Sequence, residues 1–289
     1  MDAVSRIERT LTAALDMAGG PGGPPLLAAA MRHAVFPRGA RIRPRLCLAV
    51  AAACGDDDPA AANGAAAAIE LLHCASLVHD DLPCFDNADT RRGRPSVHRA
   101  YGEPLAVLAG DALIVLAFQT IAIGAVASPL RLPALMHTLG RAVGAPHGIA
   151  AGQAWECEPT ADLSEYQRAK TGALFAAATV AGAAAAGSDP EPWRTLGEQL
   201  GEAYQVADDI GDVSANAQQL GKPTGRDAAL GRPNAVAQLG MDSAQLRLQR
   251  LVDASIDAIP VCPGAQELRT QFLQATQYLF SSRLARPAA

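Results

Sequence analysis

Aromatic residues are scarce in this chain: six Phe, four Tyr and two Trp, 4% of 289 residues. So few large flat side chains disfavour a β architecture, which leans on aromatic and β-branched residues, and no alternating strand of convincing length is present. Charge is also sparse, at 18% with a net of −5 and no long basic run. A nucleic-acid partner is thereby left without its electrostatic footprint. The six cysteines, Cys47, Cys54, Cys74, Cys84, Cys157 and Cys262, make no CxxC pair. They read as small buried hydrophobes of a reducing compartment, hence a cytoplasmic protein, not as a disulfide frame or a zinc site. No secretory leader is expected, because MDAVSRIERTLTAALDMAGG forms an amphipathic helix that carries acids. The uncharged stretch Ala112–Leu130 approaches the ~20 apolar residues of a membrane span. It contains Gln119, Thr120, Ser128 and Pro129 and follows Asp111 directly, so it is read as a buried central helix and no integral membrane segment is expected.

What the chain does have is alanine. Hydrophobic residues make up 49% of it, enough for a large core, and small side chains favour helices packed at close range. Helical spacing is expected near 2–17, 24–35, 41–54, 59–82, 104–127, 131–145, 163–187, 191–215, 242–258 and 264–283. Breakers at Gly19–Pro25, Gly55–Pro59 and Gly187–Pro190 separate them, and Gly221–Pro233 is a longer polar loop. With no linker and no repeat, residues 1–289 read as one all-α domain.

Charge, although sparse, is concentrated. His79–Arg94 reads HDDLPCFDNADTRRGR, and Gln205–Asp212 reads QVADDIGD. Pro83 ends the helix that carries Asp80 and Asp81. That places carboxylates at a helix C-terminus, the wrong end for negative charge, and Asp86 and Asp89 add to it. In the second cluster Asp208 and Asp212 share a helix face and repel by about 0.2–0.5 kcal/mol. Gly211 costs that helix about 1 kcal/mol more. A chain built for stability alone avoids both arrangements. Divalent cations, magnesium above all, relieve the repulsion through carboxylate, water and phosphate oxygens. Arg91 and Arg92 can fork onto phosphate. With Lys170, Lys222 and the arginines of GARIRPRL (Arg41, Arg43, Arg45), they supply two anion pockets, one for each of two diphosphates.

At this point the chain resembles the polyprenyl (isoprenyl) diphosphate synthases over nearly its full length. DDLPCFDNADTRRG is similar to the family's first Asp-rich motif in its bacterial form, and QVADDIGD to the second. LAGDAL, AGQAW, KTGALF and LGKPTGRDAALGRPNAV resemble the blocks between and after them. HCASLVHDDLP, AGQAWE and LGKPTGRD are most similar to the geranylgeranyl diphosphate synthases of carotenoid and bacteriochlorophyll pathways. The resemblance implies an isoprenoid-synthase helical bundle around a deep apolar tunnel, working as a homodimer. Its expected activity is head-to-tail condensation of isopentenyl diphosphate with an allylic diphosphate, with about three Mg2+ per site. Asp80, Asp81 and Asp86 match the metal-binding acids of the first motif, and Asp208, Asp209 and Asp212 those of the second. Arg91 matches the ligand of the allylic diphosphate. Arg92, Arg43 and His73 match those of isopentenyl diphosphate. Lys170, Thr171, Gln205 and Lys222 match residues around the allylic substrate and the growing cation. Two positions depart from the pattern. Ala40 stands where the family has a lysine that binds isopentenyl diphosphate, with Arg41 and Arg45 as neighbouring substitutes. Glu156 stands where many relatives have Asp.

Product length is partly legible through the same resemblance. Bacterial farnesyl synthases place a tyrosine five residues before the first Asp, as the floor of the hydrocarbon pocket. Here Ala75 and Ser76 are small, so the floor is expected near Leu72 or Leu71, roughly 4.5 Å deeper at 1.5 Å per residue. That is about one more isoprene unit and favours a C20 product made from farnesyl diphosphate. Alternatives are a C15 farnesyl synthase, with a bulky residue such as Phe118 closing the tunnel sooner, and a regulatory subunit of a heteromeric synthase. A terpene cyclase of the same fold fits less well, since RRG and a second DDxxD speak for prenyl transfer.

Overall fold

The computed structural model describes residues 2–36, 39–160, 163–214 and 235–284. Helix follows helix: α1 (Ala3–Ala18), α2 (Pro25–Val35), α3 (Ile42–Cys54), α4 (Pro59–Asp80), α5 (Val97–Tyr101), α6 (Glu103–Gly124), α7 (Leu132–Val143), α8 (Ile149–Ala154), α9 (Leu163–Gln167), α10 (Ala173–Ala185), α11 (Arg194–Ser214), α12 (Ala235–Leu239), α13 (Met241–Asp257) and α14 (Ala265–Leu284). Arg168–Gly172, between α9 and α10, is wound as a π-helical turn. The all-α expectation holds, with one small addition among the described residues. A hairpin pairs β1 (Thr90–Arg91) antiparallel with β2 (Arg94–Pro95). The helices α5, α8 and α12 have five or six residues each, too few for periodicity to reveal. The expected polar loop Gly221–Pro233 lies outside the described residues.

α4 is the central element. Asp58 caps its start by accepting the N–H groups of Ala60 and Ala61 at 3.1 and 3.2 Å, with Pro59 pre-set in the first turn. Buried residues occur on all its faces, the mark of a core helix. Alanine and glycine let its neighbours come close. α6 crosses it where a Cβ on Gly64 would lie 3.1 Å from the Thr120 carbonyl oxygen and 3.2 Å from the Gly124 Cα. α10 meets α3 in the same way, through Gly182. One apolar cluster runs from Ile7 on α1 to Leu268 on α14. A smaller one, Val206, Ile210, Ala235 and Ala244, joins α11 to α12 and α13.

Two sequence expectations need correction. The stretch 112–130 is not a buried central helix: α6 stops at Gly124 and buries one face, against α4. The other face presents Val107, Leu108, Val115 and Ile123, and the exposed apolar run continues through Val126 to Leu130, which is 94% exposed. A groove of about 650 Å³ opens between this face and α1–α2, lined in part by Met17, Leu27, Met31, Val115 and Ile123. Hydropathy counts apolar residues and is blind to what covers them. Both α4 and α6 are long and apolar enough to cross a membrane, but the apolar stretch of α4 is 78% buried within the fold against 44% for α6. The cysteines also divide. Cys47 and Cys74 are buried, whereas Cys84 and Cys157 are exposed and all six are free; the exposed pair sits in the turns after α4 and α8.

The α3–α10 contact yields a test. A Cβ on Gly182 would overlap the carbonyl oxygen of Cys47 and come within 3.0 Å of the Val50 Cβ. Gly182→Ala gains about 1 kcal/mol of helix propensity and loses about 1–3 kcal/mol to overpacking against a backbone that cannot rotate away. A lower urea midpoint than the parent protein is expected; a higher one would mean that α3 slides freely.

Candidate active site

The end of α4 carries the first acid cluster. The loop beyond it folds back: the Asp86 N–H donates to the Asp80 carbonyl at 2.9 Å and the Ala88 N–H to the Asp81 carbonyl at 3.1 Å. Asp86 is thereby held beside the helix terminus. Asp81 is buried, and the Arg91 guanidinium forks onto it through Nε, at 3.1 and 3.2 Å, and through Nη2. Burial pushes its carboxyl up from the ordinary value, against the pull of Arg91 and with Asp80 and Asp86 adding to the rise. Asp81 is thus engaged in placing Arg91. Asp80 points elsewhere, accepting from Gln153 Nε2 at 2.7 Å and Lys170 Nζ at 3.3 Å.

The second cluster lies on α11, and the π-helical turn joins the two. Lys170 reaches Asp80, while the next residue, Thr171, donates its hydroxyl to Gln205 Oε1 at 3.0 Å. Gln205 Nε2 donates to Asp209 Oδ1 at 3.0 Å, and Asp209 Oδ2 accepts the Ala235 N–H at 2.7 Å. Asp209 is buried and fastens α12 to α11, and Asp208, next to it, is half-buried. Lys170 also donates to Glu156 at 2.5 Å, which in turn accepts the Tyr166 hydroxyl at 2.6 Å. The extra residue of a π turn brings Lys170 and Thr171 round to opposite clusters, and such turns recur at functional sites. Close approach of α8 permits it: a Cβ on Gly152 would lie 2.5 Å from the Lys170 nitrogen. Lys222 is outside the described residues, and so is the side chain of Asp212.

A pocket of cations lies about two turns back along α4, around His73. Arg43 spreads its guanidinium over the Phe175 ring at 4.5 Å and the Tyr204 ring at 5.6 Å, and its buried Nε has no hydrogen-bond partner. Burial pulls its pKa down, with Arg92 adding to the fall. The Arg92 Nη1 is likewise buried without a partner. His73 is driven well below its ordinary value by burial and then by Arg43, Arg92, Arg91 and Arg41. Glu70 offsets this charge. It is 2% exposed, 2.5 Å from Arg41 and 3.9 Å from Arg92. Sequence reading passed over Glu70; the available signal was a lone carboxylate inside an alanine-rich helix, one turn before His73. Gln153 and Tyr166 were also missed, since their roles depend on partners far away in the chain.

Two half-sites rich in carboxylate, bridged by consecutive residues and flanked by an arginine–histidine pocket, form a site for polyanions and their counter-cations. A model of the polyprenyl synthetase family matches residues 24–259. The chain belongs to the polyprenyl synthetase family. It is 51% identical over 280 residues to a geranylgeranyl diphosphate synthase of Cereibacter sphaeroides, covering 97% of each chain. It is 54% identical to one of Rhodobacter capsulatus, covering 91% of each. Among solved structures, a geranyltransferase from Helicobacter pylori complexed with magnesium and isoprenyl diphosphate superposes with a TM-score of 0.81 at 29% identity, covering 96% of each chain.

Within this polyprenyl synthetase, Arg41, next to Ala40, is already engaged. Its guanidinium is buried among Glu8 Oε1 at 2.9 Å, Glu70 and the Val35 carbonyl at 3.0 Å. Arg45 is exposed on α3 and makes no ion pair among the described residues. Along α4, Leu72 and Ala75 are buried, and the Ser76 hydroxyl donates back to the His73 carbonyl at 2.8 Å.

His73 supplies a pH test. Its folded-state pKa is depressed, so the unfolded chain takes up the proton first, and the contribution of the neutral ring to stability is lost as pH falls through about 6.5. The His73 imidazole should stay neutral between about pH 6 and 8, followed by heteronuclear NMR. A midpoint at or above the ordinary value would mean that the ring is solvated and away from the arginines.

Proposed function

We propose that this chain is a magnesium-dependent trans-prenyltransferase that joins isopentenyl diphosphate to an allylic diphosphate, making geranylgeranyl diphosphate from farnesyl diphosphate. The reading rests on one observation above all: Lys170 and Thr171 draw the Asp80 and Asp209 clusters together beside the pocket of Arg43, His73 and Arg92. Its two relatives above 50% identity carry that product in their names. The donor set fits magnesium. No three His, Cys, Asp or Glu residues converge into a cage among the described residues, as suits an ion that keeps waters and takes substrate phosphates. Asp80, Asp86, Asp208 and Asp212 would hold such ions, about three per site, with Asp81 and Asp209 fixing the elements they stand on. Bound magnesium would neutralise the allylic diphosphate and help it leave.

The remaining chemistry falls to side chains. Arg91, anchored by Asp81, and Lys170 face the leaving diphosphate and stabilise its growing charge. Arg43, Arg92 and neutral His73 hold isopentenyl diphosphate, the imidazole as a hydrogen-bond donor. Thr171 and Gln205 line the path of the allylic cation. The isopentenyl double bond attacks that cation, and the proton then lost passes to the released diphosphate. The exposed stripe of α6 and its groove are covered by the same stripe of a second copy, giving a homodimer, and the enzyme works in the cytoplasm. A farnesyl synthase is the second reading, since Phe118 also packs against the core near α4.

Asp80→Ala or Asp208→Ala should cut turnover with magnesium by about 10²–10³-fold or more and leave far-UV circular dichroism unchanged. Condensation near the parent rate by either variant would remove the two-cluster basis of the proposal. Chain length has its own test. Ala75→Tyr puts a ring beside Leu72, at an overpacking cost of about 1–3 kcal/mol, and should shift the main product from C20 to C15 in a chromatographic assay. Parent protein that makes only C15, or a tyrosine variant that still makes mostly C20, would place the floor elsewhere.

A further inference from the structure

Glu70, 2% exposed, is a buried carboxylate that the proposed reaction does not use; Asp58, the other among the described residues, caps α4. Glu70 stands in the third turn of α4 before Asp80, and its surroundings are unusual. Among the described residues only four non-glycine residues have a left-handed backbone, and two of them are Arg41 (φ 52) and Arg92 (φ 53). These are the two arginines whose guanidinium groups converge on Glu70, at 2.5 and 3.9 Å. A left-handed arginine is strained and persists only when its surroundings hold it. Arg41 has a second carboxylate, Glu8, at 2.9 Å. Arg92 has no other carboxylate among the described residues. Its guanidinium also lies close against Gly39, where a Cβ would come within 2.8 Å of it. Close to both Gly39 and Glu70, Arg92 keeps its Nη1 buried and unpartnered, a donor presented to the pocket it shares with Arg43 and His73.

We infer that Glu70 is a positioning residue for isopentenyl diphosphate: it holds Arg92 in its strained backbone and aims the guanidinium at the diphosphate. The inference rests on the functional reading above, which makes this pocket the isopentenyl site. It matters more in this chain than in one with a lysine at position 40, because Arg41 is occupied and Arg92 carries a larger share of the anion's charge.

Three effects of Glu70 separate by sign. If its charge acted only through space, Glu70→Gln would remove a negative group from an anion pocket and lower the KM for isopentenyl diphosphate. If it served only the core, the variant would lose active protein with both KM values unchanged. Positioning requires that KM for isopentenyl diphosphate rise while that for farnesyl diphosphate stays put. Steady-state kinetics of the full chain with magnesium, farnesyl diphosphate and labelled isopentenyl diphosphate reads all three. A rise of about tenfold or more is expected, the loss of one well-aimed charge-assisted contact, with KM for farnesyl diphosphate within about twofold. Glu8→Gln removes the other partner of Arg41 and should leave both KM values near the parent. Glu70→Asp keeps the charge on a shorter arm and should fall between parent and Gln; if the Gln variant does not fold, Asp alone decides, by whether KM for isopentenyl diphosphate rises at all. A fall, or no change, overturns the inference while leaving the prenyltransferase reading intact. A parent chain that does not consume isopentenyl diphosphate overturns both.

Discussion

Backbone-to-backbone packing of α4 against α6 is the constraint on which the rest of the structure depends. Gly64 and Gly124 let the two helices approach until a single methyl would collide, so α4 cannot roll or slide without breaking that contact. The consequence is chemical. α4 carries Glu70, Leu72, His73, Ala75, Ser76 and Asp80, with Asp81 as its C-cap, so one rigid helix sets the proposed isopentenyl pocket, the proposed wall of the hydrocarbon site and the first acid cluster in fixed register. A rise of about 1.5 Å per residue turns that stretch of sequence into a ruler. Close-packed interiors do not deform continuously, which is why small residues in the contact matter as much as the charged ones at the end.

How much of this was legible in the sequence follows from how far each interaction reaches. The acid clusters, Pro83 and the alanine-rich helices are local, and the structure places them as the sequence implies. Asp81 and Asp209 stand in the clusters, but spacing does not foretell their partners: Arg91 and the Ala235 N–H engage them. Nor does it foretell that Glu8 and Glu70, far off in the chain, claim Arg41. The apolar run after Asp111 misled for another reason. A helix apolar on both faces has the same sequence whether its own fold or a second molecule covers the outer face.

Electrostatics explains why the site is costly to the fold and still holds. Arg41, Arg43, Arg91, Arg92 and His73 crowd together beside α4, where Glu8, Glu70 and Asp81 pair with Arg41, Arg92 and Arg91 and Arg43 has no carboxylate partner among the described residues. The chain answers in two ways. His73 gives up its charge, driven below its ordinary value, and Cys74 keeps its proton, its pKa raised to about 12 by burial first and then by Glu70. Arg41 and Arg92 accept left-handed backbones, each worth about 1–3 kcal/mol of strain. Arg43 Nε and Arg92 Nη1 nonetheless stay buried without a hydrogen-bond partner among the described residues, and on the proposed reading a diphosphate supplies the acceptors.

Lys170 shows how charge is divided at the end of α4. Its ammonium is shared between Asp80 at 3.3 Å and Glu156 at 2.5 Å. The shorter contact is to Glu156, so Lys170 stands nearer that carboxylate than Asp80. Glu156, steadied by the Tyr166 hydroxyl at 2.6 Å, holds the ammonium nearer to itself than to Asp80. Asp80 Oδ1 also accepts from Gln153 Nε2 at 2.7 Å, so on the proposed reading a lysine bound more tightly there would compete further with a divalent cation. Glu156 therefore sets how one charge is divided between two carboxylates that lie far apart in the chain.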